Sequence, residues 1–390
     1  MSSAVVLNID GLGAKYLGPF GNTWIETPAF NQLATESYLL DNVYASFSNS
    51  WKTLEAQLQG KDAMGNQLKS LCGSDLLQVL DAKGVRTNLL TDDADFVDQP
   101  ITAGFAEQLE IEPTNRLGLA EEWDTTSTAT FFAHAVKAIE ELDDNSLLWL
   151  STKGFGNPWD APYEYRNRFA DEEDPEPTGS SQVPSLRLDT NYDPDTLHEI
   201  QCAFAGQVSL LDQCFAVFLS VINDIAKHSE TLFVCTSSRG FPLGEHLRVG
   251  WQEPALYHEL LYVPAFLRYP DGQRSMQRDN RLLGPSDITC FLLDWFDIEN
   301  NDGQTSKNFS LSRGQTEWSL RTPCWQFRFQ ESEDKDENLT ELYLKPDDQN
   351  EVNDVADRCG DVVDAGAEFL KSLKNNKNAS PPDILLEPRQ

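Results

Sequence analysis

Short apolar runs recur along the chain, and amphipathic helical patterns lie between them. The runs typical of strands buried on both faces are 4–9, 38–45, 87–91, 147–151, 232–236 and 263–268. Apolar residues recur at helical spacing over 30–36, 74–83, 128–142, 196–227 and 285–296. This alternation predicts an α/β fold with a mostly parallel central sheet and helices on both of its faces.

The pattern changes after residue 300. Segments 318–322, 324–329 and 339–344 predict a small antiparallel sheet, and a helical pattern near 355–373 follows it. We therefore predict an α/β domain over 1–300, a C-terminal α+β subdomain over 301–374 and a loose tail over 375–390. Within the first domain, the acidic, Pro- and Ser-rich stretch 171–195 is expected to be an exposed loop.

The charge of the chain narrows its possible partners. It carries 63 acidic and 30 basic residues, a formal net charge of −33. Nucleic acid and anionic membrane surfaces both select a basic surface, so we expect neither as a partner. Such a charge favours solubility, including in a salty cytoplasm. The expected partner is an unknown small molecule or a protein.

We expect a cytoplasmic protein. Its first residues lack the basic start and the long apolar core of a secretion signal, and we identified no apolar stretch near the 20 residues of a membrane span. The seven cysteines are scattered and never spaced as Cys-x-x-Cys, which indicates reduced thiols and not a disulfide frame or a zinc site.

The first candidate for chemistry is Asp10. It ends the first apolar run and precedes Gly11, which favours a sharp turn of the backbone. In open α/β sheets, ligands bind at the carboxyl ends of the strands. A carboxylate at this place is therefore a candidate ligand-binding group.

Six segments, taken in order, resemble the sulfatase family of the alkaline-phosphatase superfamily. They are the opening 4–46, LDAKGVRTNLL at 80–90, LLWLSTKGFGNPWDAPYEYRNRF at 147–169, TLFVCTSSRGFPLGEH at 231–246, LYHELLYVPAFLRYP at 256–270 and ELYLKPDDQNEVND at 341–354. The resemblance covers most of the chain and implies an alkaline-phosphatase-like fold. It also implies that Asp10 is a metal ligand and that Ser50 holds the place of the nucleophile, which the family makes from Cys or Ser in a Cys/Ser-x-Pro-x-Arg motif.

The same alignment finds the family's other functional positions altered. Leu54 stands where the motif ends in arginine. The lysines and histidines with which the family neutralises its anionic substrate fall on other residue types, at Asp92, Ala94, Gly156 and Glu253. Acidic residues at such positions are expected to repel sulfate or phosphate.

The second metal-binding cluster of the family reads Ser-Asp-His-Gly or Ser-Asp-Asn-Gly. Here Ser238 replaces the aspartate and Arg239 replaces the neutral ligand. Hard cations prefer several oxygen ligands, most of them anionic. An ion pair between Asp10 and Arg239 is therefore the favoured interpretation, and metal binding is the alternative.

Two functional hypotheses follow. In the first, the chain is a sulfatase-like protein whose sulfate-ester hydrolysis is impaired or lost, which keeps a binding or structural role and needs no cofactor. In the second, it is an active, divergent hydrolase of sulfuric or phosphoric esters that uses Asp10, Ser50 and a calcium or magnesium ion. A third possibility, a protein-interaction module acting through 171–195, differs little from the first in sequence. Metal binding separates the first two.

Overall fold

The computed structural model describes residues 2–71, 73–112, 118–226, 231–252, 254–299, 308–331, 338–376 and 379–387. Its strands are β1 (Ser3–Ile9), β2 (Tyr38–Tyr44), β3 (Arg86–Thr91), β4 (Glu107–Glu110), β5 (Ser146–Thr152), β6 (Leu186–Arg187), β7 (Thr231–Thr236), β8 (Arg248–Val249), β9 (Tyr262–Arg268), β10 (Gln277–Leu283), β11 (Ser310–Arg313), β12 (Glu317–Arg321), β13 (Trp325–Gln330) and β14 (Leu339–Leu344). Its α-helices are α1 (Pro28–Glu36), α2 (Ser50–Leu58), α3 (Leu76–Ala82), α4 (Ala94–Val97), α5 (Ser127–Glu140), α6 (Tyr163–Asn167), α7 (Pro194–Ala226), α8 (His258–Leu261), α9 (Pro285–Trp295), α10 (Gly360–Asn375) and α11 (Asp383–Leu386).

The central sheet has eight strands in the order β10-β2-β9-β7-β1-β5-β3-β4. Neighbours run parallel except at β9, which is antiparallel to both β2 and β7. This confirms the predicted fold and all six predicted strands. The edge strands β4 and β10 were not predicted. All four residues of β4 are exposed, and most residues of β10 are polar, so neither strand forms an apolar run.

Two hydrophobic cores cover the two faces of the sheet. On one face, α1, α5 and α7 contribute stacked aromatic rings, and the centroids of Phe30 and Phe215 lie 4.6 Å apart. On the other face, α2, α3 and α9 bury their leucines. Strand β1 lies between β5 and β7 with all seven of its residues buried, so its carboxyl end opens at the centre of the sheet.

Helix α7 is long and apolar enough to cross a membrane by length and composition alone. Over 194–224 the mean hydropathy of its most apolar window is 1.5, but 67% of that window is buried inside the molecule. The helix packs against α1, α5 and α6. Its apolar residues are therefore accounted for by the core.

The C-terminal sheet is antiparallel in the order β11-β12-β13-β14. It confirms the three predicted strands and adds β11, and α10 packs on it through Phe369 and Leu373. Within the segment that we expected to be loose, α11 packs on this subdomain. Leu385 in α11 is fully buried, and the Thr322 hydroxyl donates to its carbonyl oxygen over 2.6 Å.

Buried charges join this subdomain to the α/β domain. Arg328 lies between Glu317 and Glu341 and packs its guanidinium carbon 3.4 Å from the centroid of the Tyr257 ring. Glu317 also accepts the backbone N–H of Leu256 over 3.1 Å. Leu256 and Tyr257, which precede β9, are thus held by side chains of the second sheet. The six cysteines described are free thiols, and Cys72 lies outside the described residues.

Candidate functional site

Asp10 lies at the carboxyl end of β1, as its position in the sequence predicted. Its backbone N–H donates to Thr152 over 3.1 Å, and its carbonyl oxygen accepts the N–H of Phe155 over 2.9 Å. The side chain is 3% exposed. Gly11 follows with φ of +83°, and a Cβ there would come within 2.8 Å of Phe155, so only glycine fits this turn.

The Asp10 carboxylate binds Arg239 through two parallel hydrogen bonds. Arg239 Nε lies 3.0 Å from Oδ1, and Nη2 lies 2.9 Å from Oδ2. The remaining nitrogen, Nη1, donates to the Ser48 carbonyl over 3.1 Å. The Trp251 ring covers the guanidinium at 3.7 Å from its centroid. The guanidinium is therefore fixed by a carboxylate, a backbone carbonyl and an aromatic ring.

Two hydroxyls extend the network from Asp10. Ser238 donates to Asp10 Oδ1 over 2.7 Å, and the Ser50 and Ser238 hydroxyl oxygens are 2.8 Å apart. The structure thus brings together four residues that the sequence singled out, namely Asp10, Ser50, Ser238 and Arg239.

Ser50 is the first residue of α2. Asn49 caps this helix by accepting the backbone N–H of Lys52 over 3.2 Å. Leu54 is 1% exposed and packs in the core below, so the position aligned with the family's arginine carries no charge toward the site. The Asn cap, with leucines at 54 and 58, was the signal for a helix here.

The residues around Asp10 do not fit a divalent cation. Both carboxylate oxygens of Asp10 already accept hydrogen bonds from Arg239. Ser238, which stands where the family's second cluster has an aspartate, offers only a neutral hydroxyl. Across the residues that the structure describes, no group of three or more His, Cys, Asp and Glu side chains is arranged to hold a metal ion. A cationic guanidinium in contact with the carboxylate opposes a second cation there.

Asp92 faces away from the site. Its carboxylate accepts from the Thr152 hydroxyl (3.0 Å), the Lys153 backbone N–H (2.7 Å) and the Asn157 amide (2.6 Å). Burial raises the pKa of Asp92, and these three donors oppose that rise. Asp92 therefore anchors the loop after β5, and the next residue, Asp93, lines the pocket in front of Ser50.

The other positions that the resemblance aligns with the family's lysines and histidines carry no cationic side chain. Ala94 begins α4 and is exposed. Gly156 closes a turn against Trp251, where a Cβ would lie 3.2 Å from the indole and 2.9 Å from the Lys153 side chain. Glu253 lies outside the described residues.

A pocket of about 270 Å³ opens in front of Ser50, and we call it the inner pocket. Its charged lining residues are Asp10, Asp93, Asp95, Asp98, Lys153 and Arg239. Burial raises the pKa of Asp93 to about 6, and the Lys153 ammonium, 3.8 Å away, opposes that rise. Sequence reasoning missed Asp93 and Lys153, although Lys153 follows β5 just as Asp10 follows β1.

A larger cleft of about 1150 Å³ continues outward between α2 and the C-terminal sheet, and we call it the outer cleft. It shares Asn49, Trp51 and Arg239 with the inner pocket. Its charged lining residues are Lys52, Lys61, Arg187, Arg239, Arg248 and Arg313, with Glu55, Asp62 and Glu317. None of these except Arg239 was a candidate from the sequence.

The Sulfatase family model matches residues 3–298. The phosphonate monoester hydrolase of Agrobacterium radiobacter has a similar structure, with a TM-score of 0.73 and 14% identity over 96% of this chain and 95% of that one. A putative sulfatase from Bacteroides thetaiotaomicron gives a TM-score of 0.72 and 13% identity over 98% and 96%. No curated protein is significantly similar in sequence to this chain.

The family match covers most of the α/β domain and includes Asp10, Ser50, Ser238 and Arg239. The solved structures are too distant in sequence to show more than a common fold, and that fold is the one described above. The chain belongs to the sulfatase family.

Proposed function

We propose that this chain is a sulfatase-family protein that has lost sulfate-ester hydrolysis and retains a binding role. The observation that supports this proposal is the two-pronged pairing of Arg239 with Asp10, reinforced by Ser48 and Trp251. In it the guanidinium takes the place that the family resemblance assigns to a divalent cation.

An arginine cannot supply what a metal supplies. A bound metal lowers the pKa of the nucleophile and polarises the ester oxygen, because it accepts lone pairs from both. The Arg239 guanidinium has no vacant coordination position, and its charge is already matched by Asp10. Among the described residues, the Ser50 hydroxyl forms its side-chain hydrogen bond with the neutral hydroxyl of Ser238, so no charged group contacts Ser50 directly to activate it.

The inner pocket also disfavours an anionic ester. Asp93, Asp95 and Asp98 line it, and the Lys153 ammonium is paired with two of them, at 3.8 Å from Asp93 and 3.2 Å from Asp95. At an effective dielectric constant of about 20, two like charges about 4 Å apart repel by about 4 kcal/mol. Such repulsion lowers affinity for sulfate or phosphate by orders of magnitude.

Calorimetric titration with calcium and with magnesium tests the proposal. The wild-type protein should bind neither ion, whereas the double variant Ser238→Asp, Arg239→Asn should gain stoichiometric binding because it restores an anionic oxygen and removes the cation. Arg187→Asn is the matched control, since it removes an arginine of the outer cleft without touching Asp10. Stoichiometric binding by wild type that is lost in Asp10→Ala would contradict the proposal, as would turnover of an aryl sulfate.

One observation favours the second hypothesis, an active divergent hydrolase. Ser50, Ser238 and Asp10 form a continuous chain of hydrogen bonds that could carry the Ser50 proton toward a carboxylate. If these hydrogen bonds carry the proton, the protein hydrolyses aryl sulfates or phosphates, and Ser50→Ala abolishes turnover. Ser48→Ala is the matched control, because Arg239 binds only the backbone carbonyl of Ser48. Equal rates for wild type and Ser50→Ala would exclude this mechanism.

A further inference from the structure

A buried carboxylate, that of Glu351, attaches the loop after β14 to the α/β domain. Glu351 is 1% exposed, and its Oε2 accepts the backbone N–H of His258, the first residue of α8, over 3.0 Å. The Lys345 ammonium lies 3.1 Å from the other oxygen, Oε1, and donates to the carbonyl of Asp348 over 2.8 Å. The segment 345–354, which we call the Glu351 loop, is thus folded around a buried ion pair.

His246, between β7 and β8, holds the Glu351 loop at a second point. Its Nδ1 lies 2.9 Å from Glu259 Oε1, and its Nε2 lies 2.9 Å from the backbone carbonyl oxygen of Glu351. The ring stacks on Tyr257 with the centroids 3.5 Å apart and the planes 4° apart, which fixes its orientation. Because a carboxylate and a carbonyl oxygen both accept, the two contacts are satisfied together only when both ring nitrogens carry a proton.

The surroundings of His246 favour that charged form. Burial lowers the pKa of His246, but the charge and hydrogen bond of Glu259 and the carbonyl of Glu351 outweigh it, so the net shift is upward from the ordinary 6.5. The attached loop therefore holds this proton more tightly than a detached loop would. Its stabilising contribution is complete below about pH 6.5 and is lost as the pH rises through the raised pKa.

His258 makes the opposite demand. Its ring is buried against Tyr262 and Tyr44, with centroids 4.6 and 6.1 Å away. In the part of the chain that the structure describes, neither of its ring nitrogens has a hydrogen-bond partner. The Glu351 carboxylate does not serve, because it binds the backbone N–H of His258 and the Lys345 ammonium. A proton added to this ring would be a buried, unpaired charge.

The charges that face His258 reinforce this demand. Burial, and then the cations Lys345, Lys15 and Arg321, hold the pKa of His258 well below its ordinary 6.5. Its contribution to the closed junction is therefore complete above about pH 6.5 and is lost as the pH falls below that value. The other charged groups of the junction are paired with one another, namely Lys15 with Glu245, and Arg328 with Glu317 and Glu341.

We propose that His246 and His258 form a pH-sensitive clasp that holds the Glu351 loop on the α/β domain around pH 6.5 and lets it detach in acid and in alkali. His246 closes the clasp by carrying a proton, and His258 closes it by carrying none. The two conditions overlap only around the pH at which a free histidine titrates. This inference goes beyond the proposed function, since it involves neither Asp10 nor a bound ligand.

Amide hydrogen exchange of the full chain between pH 5 and pH 9, followed by mass spectrometry, tests the proposal. Rates for peptides that cover the Glu351 loop are divided by the intrinsic rate at each pH, which gives a protection factor. Protection should be highest near pH 6.5 and should fall at least threefold by pH 9 and at least tenfold by pH 5, because one unit of pKa difference between the attached and the detached loop is worth about tenfold. Peptides of β1 should keep their protection, because the opening is local.

Two variants separate the two halves of the clasp. His258→Phe keeps the stacked ring and removes its nitrogens, so protection of the loop at pH 5 should rise at least tenfold above wild type, a gain that a misfolded variant does not give. His246→Gln should abolish the fall between pH 7 and pH 9 and keep the fall in acid. His134→Gln, at an exposed position of α5, is the control and should change neither.

Protection of the loop that does not depend on pH would overturn the clasp. So would an acid fall that persists in His258→Phe, an alkaline fall that persists in His246→Gln, or a parallel loss in β1, which would indicate global unfolding. NMR titration of the histidine rings in the wild-type protein gives the same test if His246→Gln does not fold. His246 should then titrate above pH 6.5 and His258 should remain neutral at pH 6, and titration of either ring at pH 6.5 would contradict the proposal.

Discussion

The inner pocket and the outer cleft meet at Arg239 and Trp51, yet their charges are opposite. Among the described residues, the inner pocket has four aspartates against two cations, whereas the outer cleft has six cations against three acids. Arg239 lines both, but its positive charge is paired with the Asp10 carboxylate. The difference teaches that two adjoining pockets of one fold can carry opposite charge, with aspartates in front of Ser50 and the cation of Lys52 only two residues further along α2.

The largest expected effect comes from breaking the ion pair at the centre. Arg239→Met leaves Asp10 buried and unpaired, and it should lower the free energy of unfolding by about 3 to 5 kcal/mol at pH 7. Denaturant unfolding measures this loss. Arg313→Met removes an exposed arginine of the outer cleft and should change stability by no more than about 0.5 kcal/mol. Similar losses for both variants would mean that Arg239 does not act as a buried structural cation.

The second effect concerns Asp93 and the pH dependence of stability. The pKa of Asp93 is about 6 in the folded chain, against an ordinary 3.8, so the folded state holds this proton more tightly than the unfolded chain. Ionisation of Asp93 therefore opposes folding. The cost is absent below about pH 4, grows between pH 4 and 6, and reaches about 3 kcal/mol above that range.

Asp93→Asn should consequently raise the free energy of unfolding by about 1 to 3 kcal/mol at pH 7.5 and leave it unchanged at pH 4. Asparagine keeps the cap of α4, in which Asp93 accepts the backbone N–H of Asp95 over 3.2 Å. Denaturation curves from pH 4 to pH 8 measure the difference between variant and wild type. The exposed neighbour Asp95→Asn is the control, and a gain that does not depend on pH would contradict the explanation.

The smallest effect comes from the lysine of the inner pocket. Lys153→Met removes the cation next to Asp93 and Asp95, and it should destabilise the protein by about 0.5 to 1 kcal/mol at pH 7.5. The loss should shrink at pH 4.5, where Asp93 is protonated. In the Asp93→Asn background the same substitution should cost less, and a double-mutant cycle measures the coupling. Strict additivity would show that Lys153 does not offset the charge of Asp93.

The core of the fold was predictable because its strands are continuous apolar runs. β1, β5 and β7 are buried along their whole length, so no polar periodicity obscures them. β4 and β10 could not be found in this way, since an edge strand owes its place to backbone pairing with a neighbour and its side chains remain polar. Helix α11 was missed for a different reason, because a four-residue segment is too short to show a helical repeat of apolar residues.

The candidate site was predictable where the chain itself carries the information. The substitutions at Ser238 and Arg239 are visible in the sequence, and so is the carboxylate at the end of β1. Which of two adjacent aspartates faces the pocket was not visible. Asp92 turns inward to bind the loop after β5, and Asp93 is left to line the inner pocket.

By itself, the sequence determined the family, the α/β fold and the opposition of Asp10 and Arg239, because residue identity and apolar periodicity are local properties of the chain. Only the tertiary structure decided that this arginine meets Asp10 through two hydrogen bonds and stacks on Trp251. It alone decided that cations from α2 and β11, about 260 residues apart in the sequence, face one cleft. Charges so far apart along the chain act together only when folding brings them within a Debye length of one another.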